Sequence, residues 1–207
     1  MAEDTGPVVW LARHAESGWN EAGLVQGHAD APGLTAEGRE QAGALAGLLT
    51  GTGVELVVCS DLLRAVQTAE IVATGLGVPL VLDARLRERN LGVLEGGTAA
   101  ALVPALTGYD QGRCTDPDAK PEGGESVREL YERATGCLDG FAAMPPASTF
   151  AVVTHGGFLR VVKAWFDQVP FEAMRWPRTP NAVLWRAELG SRTLDLDPAF
   201  PVIGGED

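Results

Sequence analysis

Positive charge is scarce in this sequence. Sixteen lysines and arginines stand against 28 aspartates and glutamates, a formal net charge of -12. No run of Lys and Arg makes a basic stripe, so a nucleic-acid surface is not expected, and the overall field opposes DNA and anionic membranes. Cysteine is equally sparse: Cys59, Cys114 and Cys137 are the full set of 3. An odd number without paired spacing predicts a reducing compartment and no disulfide framework. No stretch approaches the ~18 consecutive apolar residues of a membrane-spanning helix. The opening MAEDTGPVVWLARH lacks a basic segment and holds a short apolar run, unlike a signal peptide. Repeats and low-complexity tracts are also missing. These absences predict a cytoplasmic protein with no nucleic-acid and no membrane partner.

What is present is the composition of a folded domain, 45% hydrophobic and 21% charged over 207 residues. At roughly 150 residues per domain the expectation is one domain spanning 1–207. A chain of this size buries about 70% of its unfolded surface and needs no staples. Short apolar runs bounded by Gly, Pro, Asp and Thr read as strands at Val8–Ala12, Val54–Cys59, Pro79–Leu82, Phe150–Thr154 and Ala182–Leu189, with Arg192–Leu196 pairing beside the last. Between them, apolar residues recur at steps of three and four. Leu62, Ala65, Val66, Ala69, Val72, Ala73 and Leu76 form one such face; Val127, Leu130, Tyr131, Ala134, Cys137, Leu138 and Phe141 form another. The second opens with Ser126 and Glu129 at capping-box spacing. Thr35–Leu49 and Phe158–Phe166 read as two more helices, the latter apolar nearly all round and therefore buried.

Strands alternating with helices predict an α/β fold: a three-layer αβα sandwich around a mainly parallel central sheet. The segment 96–124, broken by Pro104, Gly108, Gly112, Pro117 and Pro121, reads as a lid-like excursion from that frame. In such sheets ligands bind beyond the carboxyl ends of the strands. Several chemically useful residues fall there. Arg13 and His14 follow the first strand, Arg64 the second, Glu88 the third, and His155 with Gly156 and Gly157 the fourth.

The segment LARHAESGWN resembles the first motif of the histidine phosphatase superfamily, the phosphoglycerate mutase-like proteins. QGHADAPGLTAEGREQA, CSDLLRAVQTA, LRERNLGVLEG, PEGGES and VVTHGGFLR follow in the family's order, so the likeness covers about residues 8–160. The resemblance implies a phosphoglycerate mutase-like fold and a phosphatase that takes a small-molecule phosphate ester. It makes His14 the nucleophile and Glu88 the proton donor, with no metal and no cofactor. Physical chemistry agrees. A histidine attacks only through an unprotonated nitrogen, and Arg13 and Arg64 would hold His14 neutral by repelling a further positive charge. Their planar forks suit phosphate oxygens. His155 adds a contact to the same oxygens. Asn20, Ser17, Gly156 and backbone N–H groups after His14 complete the expected cradle, with His28 at its rim.

Alternatives stand beside this reading. Glu16 and Glu95 compete with Glu88, and Glu125 in PEGGES is an open candidate for the pocket. Cys59 and Arg64 are separated by four residues, where a cysteine-phosphatase loop has five. No His-x-x-x-His or Cys-x-x-Cys spacing supports zinc, and arginines beside the histidines would repel a cation. Gly123–Gly124 lacks the Gly-Lys-Ser/Thr of a nucleotide loop. Ala15 replaces the family's usual glycine, where its methyl would tighten the pocket, and Gly33 adds a residue before Leu34 that would reshape the loop near His28 and Asp30. A bisphosphoglycerate-dependent mutase and an inactive binding module on the same fold are the competing functions. The sequence leaves the oligomeric state open, a homodimer included.

Overall fold

Val8–Arg13 (β1) is apolar on both faces because it lies in mid-sheet: its four inner residues are buried on alternating sides. Val9 and Leu11 enter one core, Trp10 and Ala12 the other. The same alternation runs through Thr149–Thr154 (β6), where Phe150 and Val152 face the first core and Ala151 and Val153 the second. Together with Val57–Cys59 (β2) and Leu80–Leu82 (β3) these strands are parallel; Leu184–Glu188 (β7) and Thr193–Asp195 (β8) add an antiparallel flank. The order across the sheet is β3-β2-β6-β1-β7-β8. A two-residue ladder, Tyr109–Asp110 (β4) with Arg113–Cys114 (β5), stands apart. This computed structural model describes residues 6–98, 109–110, 113–170, 173–174 and 179–195. Much of the expected lid segment therefore lies outside the described residues.

Helices cover both faces. Ala36–Leu49 (α2) and Leu63–Leu76 (α3) bring Leu45, Leu49, Ala65, Ala69 and Val72 to the second core. Val127–Ala142 (α4) and Gly156–Phe166 (α5) bring Leu130, Leu138, Phe141, Phe158 and Val162 to the first. Full burial of such a side chain stabilises by about 1.5–3 kcal/mol, so two cores on one sheet hold the strand ends fixed. The capping box of α4 forms as read, with Ser126 accepting from the Glu129 N–H and Glu129 accepting from the Ser126 N–H. A short helix after β1, Gly18–Glu21 (α1), has the same device in Ser17 and Asn20. Among the described residues no helix is long and apolar enough to cross a membrane.

The expected three-layer α/β architecture is thus present. Boundaries differ modestly: β2 begins at Val57 rather than Val54, and α5 begins at Gly156 rather than Phe158. At the first, the Glu55 N–H and the Leu56 carbonyl still bond Thr149 and Ala151 of β6, so pairing runs ahead of the regular strand. The second follows from the extended backbone of His155, which serves as the N-cap and lets both glycines enter the first turn.

Candidate active site

Sheet register sets the first pair of residues. Arg13 lies opposite Thr154 in the parallel β1–β6 pair, and the His14 N–H donates to the Thr154 carbonyl at 2.8 Å. The next residue on each strand is a histidine, so the imidazoles of His14 and His155 meet with ring centroids 5.1 Å apart. Both are buried, at 2% and 0% exposure. His14 Nδ1 lies 2.8 Å from the Ala15 carbonyl. A carbonyl can only accept, so Nδ1 carries the proton and Nε2 holds the lone pair. Arg64, from the first turn of α3, donates its Nε–H to that lone pair at 3.3 Å.

The electrostatics follow from burial. Desolvation, then the charges of Arg64 and Arg13, push His14 well below its ordinary value of 6.5. His155 is pushed down by the same burial and by Arg64, His14 and Arg13. Both rings are neutral near pH 7. Arg64 is 1% exposed, and burial brings it down to about 10 while nearby Glu88, Asp30 and Glu95 favour its charge. Its terminal nitrogens donate to the carbonyls of Ala29 and Gly27 at 2.9 and 2.8 Å. Arg13 donates to the Thr179 carbonyl.

The Ser60 hydroxyl lies 2.8 Å from His155 Nε2 and accepts from the Leu62 N–H at 3.3 Å. His155 Nδ1 is buried with no hydrogen-bond partner among the described residues. Such an orphan beside a neutral imidazole marks a place where a polar ligand belongs.

Glu88 reaches the same edge from the loop after β3. Its Oε2 accepts from the Gly157 N–H at 3.0 Å, two residues after His155, and its Oε1 accepts from the Arg89 N–H at 2.8 Å. A Cβ at Gly157 would sit 2.2 Å from Oε1, so only glycine leaves the carboxylate its place. The competitors point elsewhere. Glu16 accepts from the Thr35 hydroxyl at 2.8 Å. Glu95 accepts from the backbone N–H groups of His28 and Leu91 at 2.7 and 3.0 Å. Glu125 is paired with Arg133 at 2.7 Å. Cys59 is a buried strand end, and burial with Asp61 and Glu70 nearby pushes its thiol up to about 12, which removes it as a thiolate nucleophile.

The expected cradle needs correction. The three N–H groups after His14 do not face a ligand: Ala15 donates to Thr68 Oγ1 at 3.0 Å, Glu16 to Gln41 Oε1 at 3.0 Å and Ser17 to Asn20 Oδ1 at 3.1 Å. They turn inward because side chains of α1, α2 and α3 compete for them. Ser17 is fully buried, and its hydroxyl bonds Gln26 and Asn20 rather than an open pocket. Asn20 Oδ1 also accepts from Asn181 Nδ2 at 3.1 Å, which orients the amide. Gly156 stands against Arg13, where a Cβ would lie 3.6 Å from Nε. His28 donates from Nε2 to the Glu88 carbonyl at 2.8 Å, so it braces the Glu88 loop. Ala15 is fully buried against Thr68, and Gly33 packs beside Gln67, where a Cβ would come to 3.0 Å.

Sequence reasoning missed Ser60, Thr68, Asn181 and Arg133. Ser60 and Thr68 sit inside the motif CSDLLRAVQTA, and their order before and after Arg64 was the available signal. Asn181 and Arg133 act across long sequence separations and carry no local pattern.

Comparison with known proteins bears on this geometry. A model described as the histidine phosphatase superfamily (branch 1) matches residues 9–197. The probable phosphoglycerate mutase GpmB of Cronobacter sakazakii is 35% identical over 181 residues, 87% of this chain and 84% of that protein. YhfR of Bacillus stearothermophilus superposes with a TM-score of 0.79 at 28% identity, over 91% of this chain and 94% of that one. The alpha-ribazole phosphatase of Shigella flexneri gives 0.77 at 29% identity, over 92% and 94%. Mycobacterial glucosyl-3-phosphoglycerate phosphatase in complex with VO3 gives 0.75 at 28% identity, over 86% and 91%.

Proposed function

The chain belongs to branch 1 of the histidine phosphatase superfamily, and from that premise we propose that it is a metal-independent phosphatase that hydrolyses a small-molecule phosphate monoester through a phosphohistidine. The carrying observation is the neutral His14, its proton fixed on Nδ1 by Ala15 and its Nε2 lone pair facing Arg64. Nε2 attacks phosphorus in line, the N–P bond forms and the P–O bond to the leaving group breaks. The protonated Glu88 carboxyl gives its proton to the departing oxygen. Water then attacks phosphorus, Glu88 takes its proton, and the N–P bond breaks to return the lone pair to Nε2. Arg13, Arg64 and the Nδ1–H of His155 neutralise the phosphoryl oxygens, where charge is greatest in the transition state. Asn20 adds an amide donor beside them.

The relatives named for phosphoglycerate mutase activity favour a second reading, in which the phosphoryl group returns to a phosphorylated acid. A mutase must hold a second anionic group, and that requires cations with charge to spare. Three cations of the 96–146 segment have carboxylate partners: Lys120 with Glu129 at 2.7 Å, Arg128 with Asp118 at 2.6 Å and Arg133 with Glu125 at 2.7 Å. This supports hydrolysis of a less highly charged ester. A binding module without activity, the third reading, leaves the tuned His14 without a purpose. The decisive experiment measures p-nitrophenyl phosphate hydrolysis in EDTA for the protein and for His14→Ala. Turnover that survives chelation and falls on the order of 10⁴-fold in the variant is expected. Turnover that appears only as isomerisation of phosphoglycerates with 2,3-bisphosphoglycerate would move the reading to a mutase. No turnover and no acid-labile phosphoprotein would leave the binding module.

A further inference from the structure

The loop that carries Glu88 belongs to no strand or long helix, so something other than a hydrogen-bond ladder must hold it. One guanidinium does much of this. Arg133, on α4, donates through Nη1 to the carbonyls of Arg85 and Arg87 at 2.7 and 2.8 Å, and through Nη2 to the carbonyl of Glu88 at 3.2 Å. Its remaining donors go to Glu125, Nε to Oε1 at 2.9 Å and Nη2 to Oε2 at 2.7 Å. An arginine has five N–H donors in a fixed plane, and all five are engaged here. Glu125 in turn accepts from the Asn90 N–H at 3.3 Å, and its carbonyl accepts from Arg89 Nε at 2.8 Å, which ties the far side of the same loop. The Glu88 carbonyl takes a further bond from His28 at 2.8 Å. Glu125 balances the charge of Arg133, so the clasp carries no net charge.

We propose that Arg133, oriented by Glu125, is the positioning residue that sets the Glu88 carboxyl for proton transfer to the leaving group. This rests on the reading of Glu88 as the proton donor. Arg133 is some bonds removed from the reacting atoms, so its effect passes through Glu88 alone. Lysine cannot replace it, since a single ammonium cannot span three carbonyls in one plane and chelate a carboxylate.

The test compares kcat/KM for phenyl phosphate and p-nitrophenyl phosphate, two esters of similar shape. The nitrophenolate leaves as a stable anion with little need of a proton, whereas phenolate needs one. Arg133→Lys and Arg133→Gln should lose about tenfold more activity on phenyl phosphate than on p-nitrophenyl phosphate. In a Glu88→Gln background the same substitutions should lose nothing further on either ester. Equal losses on both esters, or full additivity with Glu88→Gln, overturn the proposal and leave Arg133 a stabilising residue. Should neither Arg133 variant fold by circular dichroism, Glu125→Gln carries the test, with the same direction of change in the ratio expected and an unchanged ratio overturning it. Failure of the underlying reading is separate: Glu88→Gln by itself would then lose equally on both esters.

Discussion

The inner and outer halves of the site are held by different forces. His14, Arg64 and His155 are 2%, 1% and 0% exposed, fixed by sheet register and two apolar cores. Glu88 hangs on an irregular loop fastened by polar clasps, whose Arg133–Glu125 pair is 20% and 15% exposed. Burial does electrical work in the inner half: it keeps two imidazoles neutral beside two arginines. The outer half does geometric work, aiming a carboxyl that must exchange protons with substrate and water. A small change should therefore act through charge and desolvation in one half and through displacement in the other.

Arg64→Lys probes the inner half and should cost more than any change in the outer half. The planar fork donates to Gly27, Ala29 and His14 at once, and an ammonium cannot reproduce that arrangement. Loss of an aligned cationic donor at developing charge lowers kcat by about 10²–10³-fold. The loss should be similar for good and poor leaving groups, because Arg64 acts on the phosphoryl oxygens. A loss confined to poor leaving groups would erase the distinction between the halves.

Gly157→Ala probes the outer half and should cost less. The new methyl would lie 2.2 Å from Glu88 Oε1, so the carboxylate must shift. Displacement of this order lowers kcat/KM by roughly 10- to 100-fold on phenyl phosphate. Alanine in the first turn of α5 also limits the unfolded chain, worth about 0.4–1 kcal/mol. Activity should fall while the melting temperature holds or rises. Parallel loss of both would mean the methyl disrupts the helix rather than the carboxyl.

The same division explains what could be read in advance. The inner half is written locally: apolar runs set the strands, Arg13 ends β1, His14 and His155 directly follow β1 and β6, and Arg64 opens the helix after β2, so their order placed them at the sheet edge, as it placed Glu88 after β3. The capping box of α4 and the apolar faces of α3 and α4 are equally local, whereas the Ser17–Asn20 box of the four-residue α1 was not read. The outer half depends on contacts between distant segments. Arg133 meets carbonyls 45–48 residues away, Asn181 meets Asn20 161 residues away, and no periodicity announces either. The cradle was misjudged for a related reason. A sequence shows that N–H groups follow His14, but not that Thr68, Gln41 and Asn20 take them first.

The smallest expected effect is on stability under mild acid, and it separates the halves without an assay. His14 and His155 have folded-state values well below 6.5, whereas an unfolded histidine titrates near 6.5. Above that pH both states are neutral and the imidazoles cost nothing. As pH falls through 6.5 the unfolded chain binds protons that the folded chain refuses, so stability declines until the folded values are reached. Near the Glu88 loop the sign is the same but the window is lower: Asp61 and Asp83 are held below 3.8 by hydrogen bonds from Arg87 and Arg85, so those pairs lose their contribution only in stronger acid and stay intact between pH 7 and pH 5. The melting temperature should fall between pH 7 and pH 5, by about 2–4 °C for each kcal/mol lost in a chain of this size. His155→Asn should flatten that slope and Asp61→Asn should leave it unchanged. A slope that follows Asp61 instead would place the acid sensitivity in the outer clasps and overturn the assignment of electrical tuning to the buried half.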